Sequence, residues 1–179
     1  MLGISAIFLF LLGAAGLYCH STLPKTGHIR PGFFVFYTNL SNALLAVYQL
    51  ALWVSGHDPQ CGVFRWLSSA GVALSMTLCI LVTHLIYQWV LVPAAKRSGK
   101  ALSDIGFSGF GNLCVHYAVP WLTVAQWLLW QDKSGLTVGH AAWWLVLPLA
   151  YFAFGMARGA TGKPIGHTKH CYPYPFMDP

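Results

Sequence analysis

The chain has no glutamate, and its acidic residues are four aspartates in 179 positions. Charged side chains make up 8% of it and hydrophobic ones 56%, whereas soluble domains carry roughly a quarter charged residues. With a mean hydropathy of +0.59, this scarcity of charge excludes an ordinary soluble enzyme and points to an integral membrane protein. None of the aspartates lies inside a long apolar run, which argues against a Ser-His-Asp triad and against a carboxylate-bound metal. No metal and no other cofactor is expected. The five cysteines (Cys19, Cys61, Cys79, Cys114 and Cys171) show no paired spacing, so neither a disulfide framework nor a structural zinc site is expected. The formal charge of +6 is scattered through short loops between apolar runs. There it sets orientation rather than gripping phosphates, so nucleic acid is not an expected partner. No Lys or Arg precedes the first apolar run and no Ala-x-Ala follows it, so a cleaved signal peptide is not expected. Internal repeats and low-complexity tracts are absent too, and residues 1–179 read as one domain.

What is present is a series of apolar runs. A membrane-crossing helix needs about 20 mostly apolar residues. Five runs meet or approach that, at 2–18, 33–55, 66–92, 113–130 and 141–157, followed by a tail at 158–179. Breaker residues separate them: Pro24 and Pro31-Gly32, Gly56 and Pro59, Pro93 and Gly99, and Ser134-Gly135. The pattern predicts an all-α, polytopic transmembrane helical bundle of about five spans. Of the ten Lys and Arg residues, eight (Lys25, Arg30, Lys96, Arg97, Lys100, Arg158, Lys163 and Lys169) fall on one side of that arrangement, leaving Arg65 and Lys133 on the other. By the positive-inside rule the N-terminus is outside and the C-terminus cytoplasmic. Trp53, Trp66, Trp130, Trp143 and Trp144 fall at outer-side ends of the runs, where an aromatic belt belongs.

Polar residues interrupt the second run in a regular way. Thr38, Ser41, Asn42, Leu45 and Gln49 share one helical face, and in hydrocarbon such a face turns to a bundle interior or a wet cavity. With 1.5 Å of rise per residue, Thr38 lies roughly 8 Å inside the cytoplasmic end of its span, His116 roughly 6 Å and His84 roughly 12 Å. The intramembrane polar groups thus gather at cytoplasmic depth, with the outer half apolar and aromatic. A hydroxyl becomes a useful nucleophile when an imidazole accepts its proton, and Thr38 and His116 supply the two at matching depth. Asn39, Asn42 and Asn112 are amide groups for a developing oxyanion, His84 an assisting or alternative base, and Tyr151 and Arg158 further polar groups on the fifth run's face. Structural roles compete for each: helix glue for the amides, a back-bonded hydroxyl for Thr38, snorkelling for Arg158. A different class of reading takes the chain as a non-enzymatic binding or assembly protein, or as a haem-binding bundle with His84 and His116 as axial ligands.

Three motifs occur in order: Phe36-Tyr-Thr-Asn-Leu-Ser-Asn42, His116-Tyr-Ala-Val-Pro120, and a C-terminal run from Leu147-Pro148 through Arg158-Gly159 to Tyr172-Pro-Tyr-Pro-Phe176. In these the chain resembles a group of small bacterial multi-span proteins, which is similar to the eukaryotic androgen-induced and androgen-dependent TFPI-regulating membrane proteins. The resemblance implies a threonine hydrolase of fatty acid esters of hydroxy fatty acids, with Thr38 as nucleophile and His116 as its histidine. It implies a membrane lipid or acyl chain as substrate and a bacterial cell membrane as location. Bacterial members usually carry Asp-Trp where this chain has Gln126-Trp127. They also usually continue into another span after the Tyr-Pro-Phe motif, so a second copy or a partner chain closing the bundle is an expected partner.

Overall fold

The computed structural model describes residues 1–97, 99, 109–166 and 169–179, and contains helices and no strand among them. Lys100, part of the charge asymmetry, lies outside the described residues. In chain order come α1 (Leu2–His20), the short α2 (Leu23–Thr26), a 3-10 turn at Phe33–Val35, α3 (Tyr37–Ser55) and α4 (Gly62–Leu67). Then follow α5 (Ala70–Arg97), α6 (residues 110–130), α7 (Val138–Trp143), α8 (Val146–Ala160) and a last 3-10 turn at Pro175–Met177.

The helices run up and down, with their ends gathered at two poles. At one, the His20 and Phe33 rings lie 6.2 Å apart, and a Cβ on Gly111 would sit 2.4 Å from the His20 backbone nitrogen, so α1 and α6 touch backbone to backbone. Ile165 of the tail covers Gly32 at the same pole. At the other, Gly71 of α5 leaves room for the His140 ring of α7. One apolar core joins Ala6, Leu45, Leu52, Met76, Ile80 and Val119; a second joins Tyr37, Cys79, Tyr151, Tyr174 and Met177 near the first pole.

Polar side chains are buried and large apolar ones exposed. Asn42, Gln49, Thr83, Thr123 and Gln126 are fully buried, while Phe8, Val47, Trp89, Leu129, Leu149 and Phe152 are exposed. Among the described residues, α1 and α5 are long and apolar enough to cross a membrane. The α3 helix matches α1 in length at 19 residues, but its polar stripe makes it less apolar.

Several boundaries differ from those read in the sequence, and prolines account for most of the differences. The third run was expected to end by Pro93, yet α5 passes through it to Arg97, with a π-helical turn at Tyr87–Leu91. A second π turn, Cys114–Ala118, precedes Pro120 in α6. A proline ring collides with the carbonyl four residues earlier, and a widened turn relieves that collision while keeping the helix going. Pro148 is accommodated differently: the helix breaks at Trp144-Leu145, the level of that carbonyl, so the fifth run is two helices. The second run is entered by the 3-10 turn, with Phe36 extended at φ −83° and ψ 133°, before α3 begins at Tyr37.

The far half of the bundle, expected to be nearly all apolar and aromatic, holds a buried polar cluster around the Gln49 of the α3 stripe. Gln49 Nε2 donates to Gln126 Oε1 at 2.8 Å and Gln126 Nε2 returns a bond to Gln49 Oε1 at 3.1 Å. Gln126 Nε2 also donates to Ser5 Oγ at 3.0 Å, which ties α1, α3 and α6 in register. All five cysteines are free thiols.

Candidate functional site

Thr38 sits in the first turn of α3, where the backbone N–H groups have no helical acceptors. Phe36, the residue before the helix, makes no side-chain cap. Instead Tyr174, reaching in from the C-terminal tail, accepts the Thr38 N–H at 3.4 Å on its phenol oxygen. Asn39 Nδ2 donates to the Phe33 carbonyl at 2.7 Å, and Tyr151 Oη donates to the Val35 carbonyl at 2.9 Å, fastening the entry turn on both sides.

The structure brings Thr38 and His116 together. Thr38 Oγ1 and His116 Nε2 are 3.3 Å apart, with the residues 8% and 3% exposed. The other ring nitrogen, Nδ1, is 3.2 Å from the Asn112 carbonyl. A carbonyl oxygen accepts only, so Nδ1 carries the proton and Nε2 presents its lone pair to the threonine hydroxyl. Thr38 Oγ1 then donates to Nε2, the resting arrangement of a nucleophile and its base.

His116 is held on every side. Tyr87 stacks on its ring at 3.8 Å with planes 23° apart, and Asn112 Nδ2 donates to the Tyr87 hydroxyl at 2.8 Å. Asn112 therefore orients the imidazole twice, once through its own carbonyl and once through Tyr87. The His20 ring stands edge-on at 5.7 Å. Pro120 has no N–H to offer the carbonyl of His116, four residues earlier. His84 Nδ1 donates to that carbonyl instead, at 2.8 Å. His84 thus meets the backbone of His116 rather than the threonine. His116 Nε2, the atom an axial ligand would use, is turned to the Thr38 hydroxyl.

The asparagines are placed beside Thr38 but are already committed. Asn42 Nδ2 donates to the carbonyls of Thr38 at 2.8 Å and Val115 at 3.1 Å, bracing α3 against α6. With Asn39 engaged at Phe33, neither amide donor points at the Thr38 hydroxyl. Ser41 Oγ lies 3.2 Å from the Thr38 carbonyl and 2.8 Å from Thr83 Oγ1. Arg158 stands apart from the pair: its guanidinium donates to the carbonyls of Lys163, Pro164 at 2.9 Å and Cys171 at 3.1 Å, clamping the tail. Tyr151 touches the site at one remove, its ring 5.0 Å from that of Tyr37 and 6.4 Å from that of Tyr174.

Two features carry little signal in the sequence. One is Tyr174 at the Thr38 backbone; its only signal is a Tyr-Pro-Tyr-Pro-Phe run too polar and proline-rich to be an ordinary tail. The other is an apolar groove of about 240 Å³ between α3 and α8, lined by Leu40, Leu44, Leu147, Ala150 and Phe154 with Tyr37, Ser41, Cys79 and Tyr151. Ser41, within hydrogen-bond reach of the Thr38 carbonyl, belongs to its wall. Among the described residues no group of three or more His, Cys, Asp or Glu is placed to hold a metal ion. Compared with protein-family models, curated proteins and solved structures, the chain matches none.

Proposed function

We propose that the chain is a polytopic membrane protein of five spans, N-terminus outside, and an intramembrane hydrolase of lipid esters that uses Thr38 as nucleophile and His116 as base. The observation that carries this reading is the 3.3 Å approach of Thr38 Oγ1 to a His116 Nε2 whose partner nitrogen is committed to a carbonyl. Thr38 Oγ1 attacks the ester carbonyl carbon as Nε2 takes its proton. The tetrahedral intermediate expels the alcohol, which leaves with that proton, and the acyl group stays on Thr38. Water then attacks the acyl-threonine, gives a proton to Nε2, and the fatty acid departs as Oγ1 recovers its hydrogen. The position of Thr38 in the first turn of a 19-residue helix favours the negative charge that develops there.

The apolar groove beside Ser41 supports an acyl chain as the substrate's hydrophobic part. Exposed apolar side chains around buried amides and imidazoles suit a lipid-facing exterior and a polar interior. The Thr38-Asn39 and His116 motifs and the Tyr-Pro-Phe ending support kinship with the androgen-induced group of membrane hydrolases. Purified protein in lipid nanodiscs, assayed on branched fatty acid esters, tests the reading. Wild type is expected to release free fatty acid and Thr38→Ala to release none; equal turnover by the two overturns it.

A further inference from the structure

We propose that Tyr174, brought in by the C-terminal tail, is the hydrogen-bond donor to the oxyanion formed when Thr38 attacks an ester. This rests on the hydrolase reading and adds the electrophilic partner that the Thr38–His116 pair lacks. An acyl transfer needs a donor aimed at the oxygen of the tetrahedral intermediate, about 2.7–3.1 Å from where that oxygen comes to lie. Among the described residues, Asn42 and Ser41 face the Thr38 carbonyl, His116 its hydroxyl and Tyr174 its N–H. The Asn42 amide is divided between two carbonyls, and that of Asn39 is turned to the Phe33 carbonyl. The Tyr174 oxygen accepts from the Thr38 N–H at 3.4 Å, so its O–H, a donor in its own right, is carried on an oxygen at the backbone of the attacking residue.

The ring is fixed for that task. Tyr174 is 7% exposed, stacked at 5.3 Å and 6° on Phe176, and edge-on to Phe36 at 6.0 Å. Burial pushes its phenol above the ordinary value, so the group stays protonated and donates without giving up its hydrogen. The rest of the tail is built to deliver it. Gly155 and Gly159, one turn apart on α8, leave the space filled by the Met177 methyl and the Tyr172 ring, and Arg158 holds the carbonyls between.

The competing structural role is that Tyr174 merely caps α3. The two roles separate in kinetics, because a cap acts on folding and an oxyanion donor acts on the transition state alone. The experiment compares wild type, Thr38→Ala and Tyr174→Phe on one ester, with kcat, KM and the affinity for a trifluoromethyl ketone that forms a tetrahedral adduct on a nucleophilic hydroxyl. Tyr174→Phe keeps the ring packing and is expected to lose about 10²–10³-fold in kcat, with KM nearly unchanged and the ketone weakened in parallel. A kcat within about threefold of wild type, or a loss confined to KM, overturns the proposal while the hydrolase reading stands. An inert wild type overturns both. If Tyr174→Phe does not fold, 3-fluorotyrosine at 174 keeps ring and hydroxyl and makes a stronger donor. It is expected to tighten the ketone severalfold relative to KM, and an unchanged ratio overturns the proposal.

Discussion

The two histidines near the site do different work, and the difference is set by which atoms they present. His116 turns Nε2 to the Thr38 hydroxyl and anchors Nδ1 on Asn112, whereas His84 spends Nδ1 on the carbonyl that Pro120 leaves open. General-base catalysis is worth about 10²–10⁴-fold, so His116→Ala is expected to lower kcat by that order. His84→Ala removes the donor to a buried carbonyl, which costs about 1–3 kcal/mol of stability, and is expected to lower kcat far less. Steady-state kinetics beside thermal melts of the two variants decide the matter. A larger kcat loss for His84→Ala makes His84 the base and His116 its support. Chemical complementarity at this scale was legible in the sequence, because residue type and depth along a span are local properties. The detailed partners were not: that Nδ1 of His84 would find a backbone carbonyl depends on a π turn and a proline one helix away.

Among the elements, α3 is the one whose sequence says most about its place. Its stripe of Thr38, Ser41, Asn42, Leu45 and Gln49 is the face that the structure buries, since a 3.6-residue period and a polar cost in an apolar surround leave one orientation. Proline effects were harder to anticipate, because each ring has two outcomes. Pro93 and Pro120 are absorbed by widened turns inside packed helices, while Pro148 breaks a helix near its start. The tail was legible only as a motif, for its place depends on contact with Phe36, more than 100 residues away in the chain, as well as on packing against α8. Its docking face on α8 gives a direct test. A Cβ on Gly159 would lie 2.2 Å from the Tyr172 ring, a rigid group that cannot swing aside cheaply. Gly159→Leu is therefore expected to lift the tail, raising the maleimide labelling rate of Cys171 severalfold and lowering ester turnover with it. Unchanged labelling means the tail is held by other contacts; increased labelling with full turnover separates the tail from catalysis.

On the five-span proposal the decisive quantity for the whole molecule is orientation, since it would fix on which side of the membrane the Thr38–His116 pole lies. That pole gathers the ends of α1, α5 and α8 and the start of α3, and the tail closes over it. Lys25, Arg30, Lys96, Arg97, Arg158, Lys163 and Lys169 accompany these ends, whereas Arg65 and Lys133 lie at the opposite pole. Positive charge resists translocation, so the site pole is expected to be cytoplasmic and substrates to reach it from the inner leaflet. Two native thiols report the sides independently. Cys171 belongs to the tail at the site pole, and Cys61 opens α4 at the other; both are partly exposed. In intact cells a membrane-impermeant maleimide is expected to label Cys61 and spare Cys171, and in inverted vesicles the pattern should reverse. Cys19, which is exposed at the end of α1, is replaced by serine for this experiment, leaving Cys79 and Cys114 buried and unreactive. Labelling of both thiols from one side breaks the five-span topology, because an odd number of crossings must separate α4 from the tail. Reversed labelling keeps the five spans but inverts them. The hydrolytic pair would then face the outer leaflet, and its lipid esters would have to come from outside the cell.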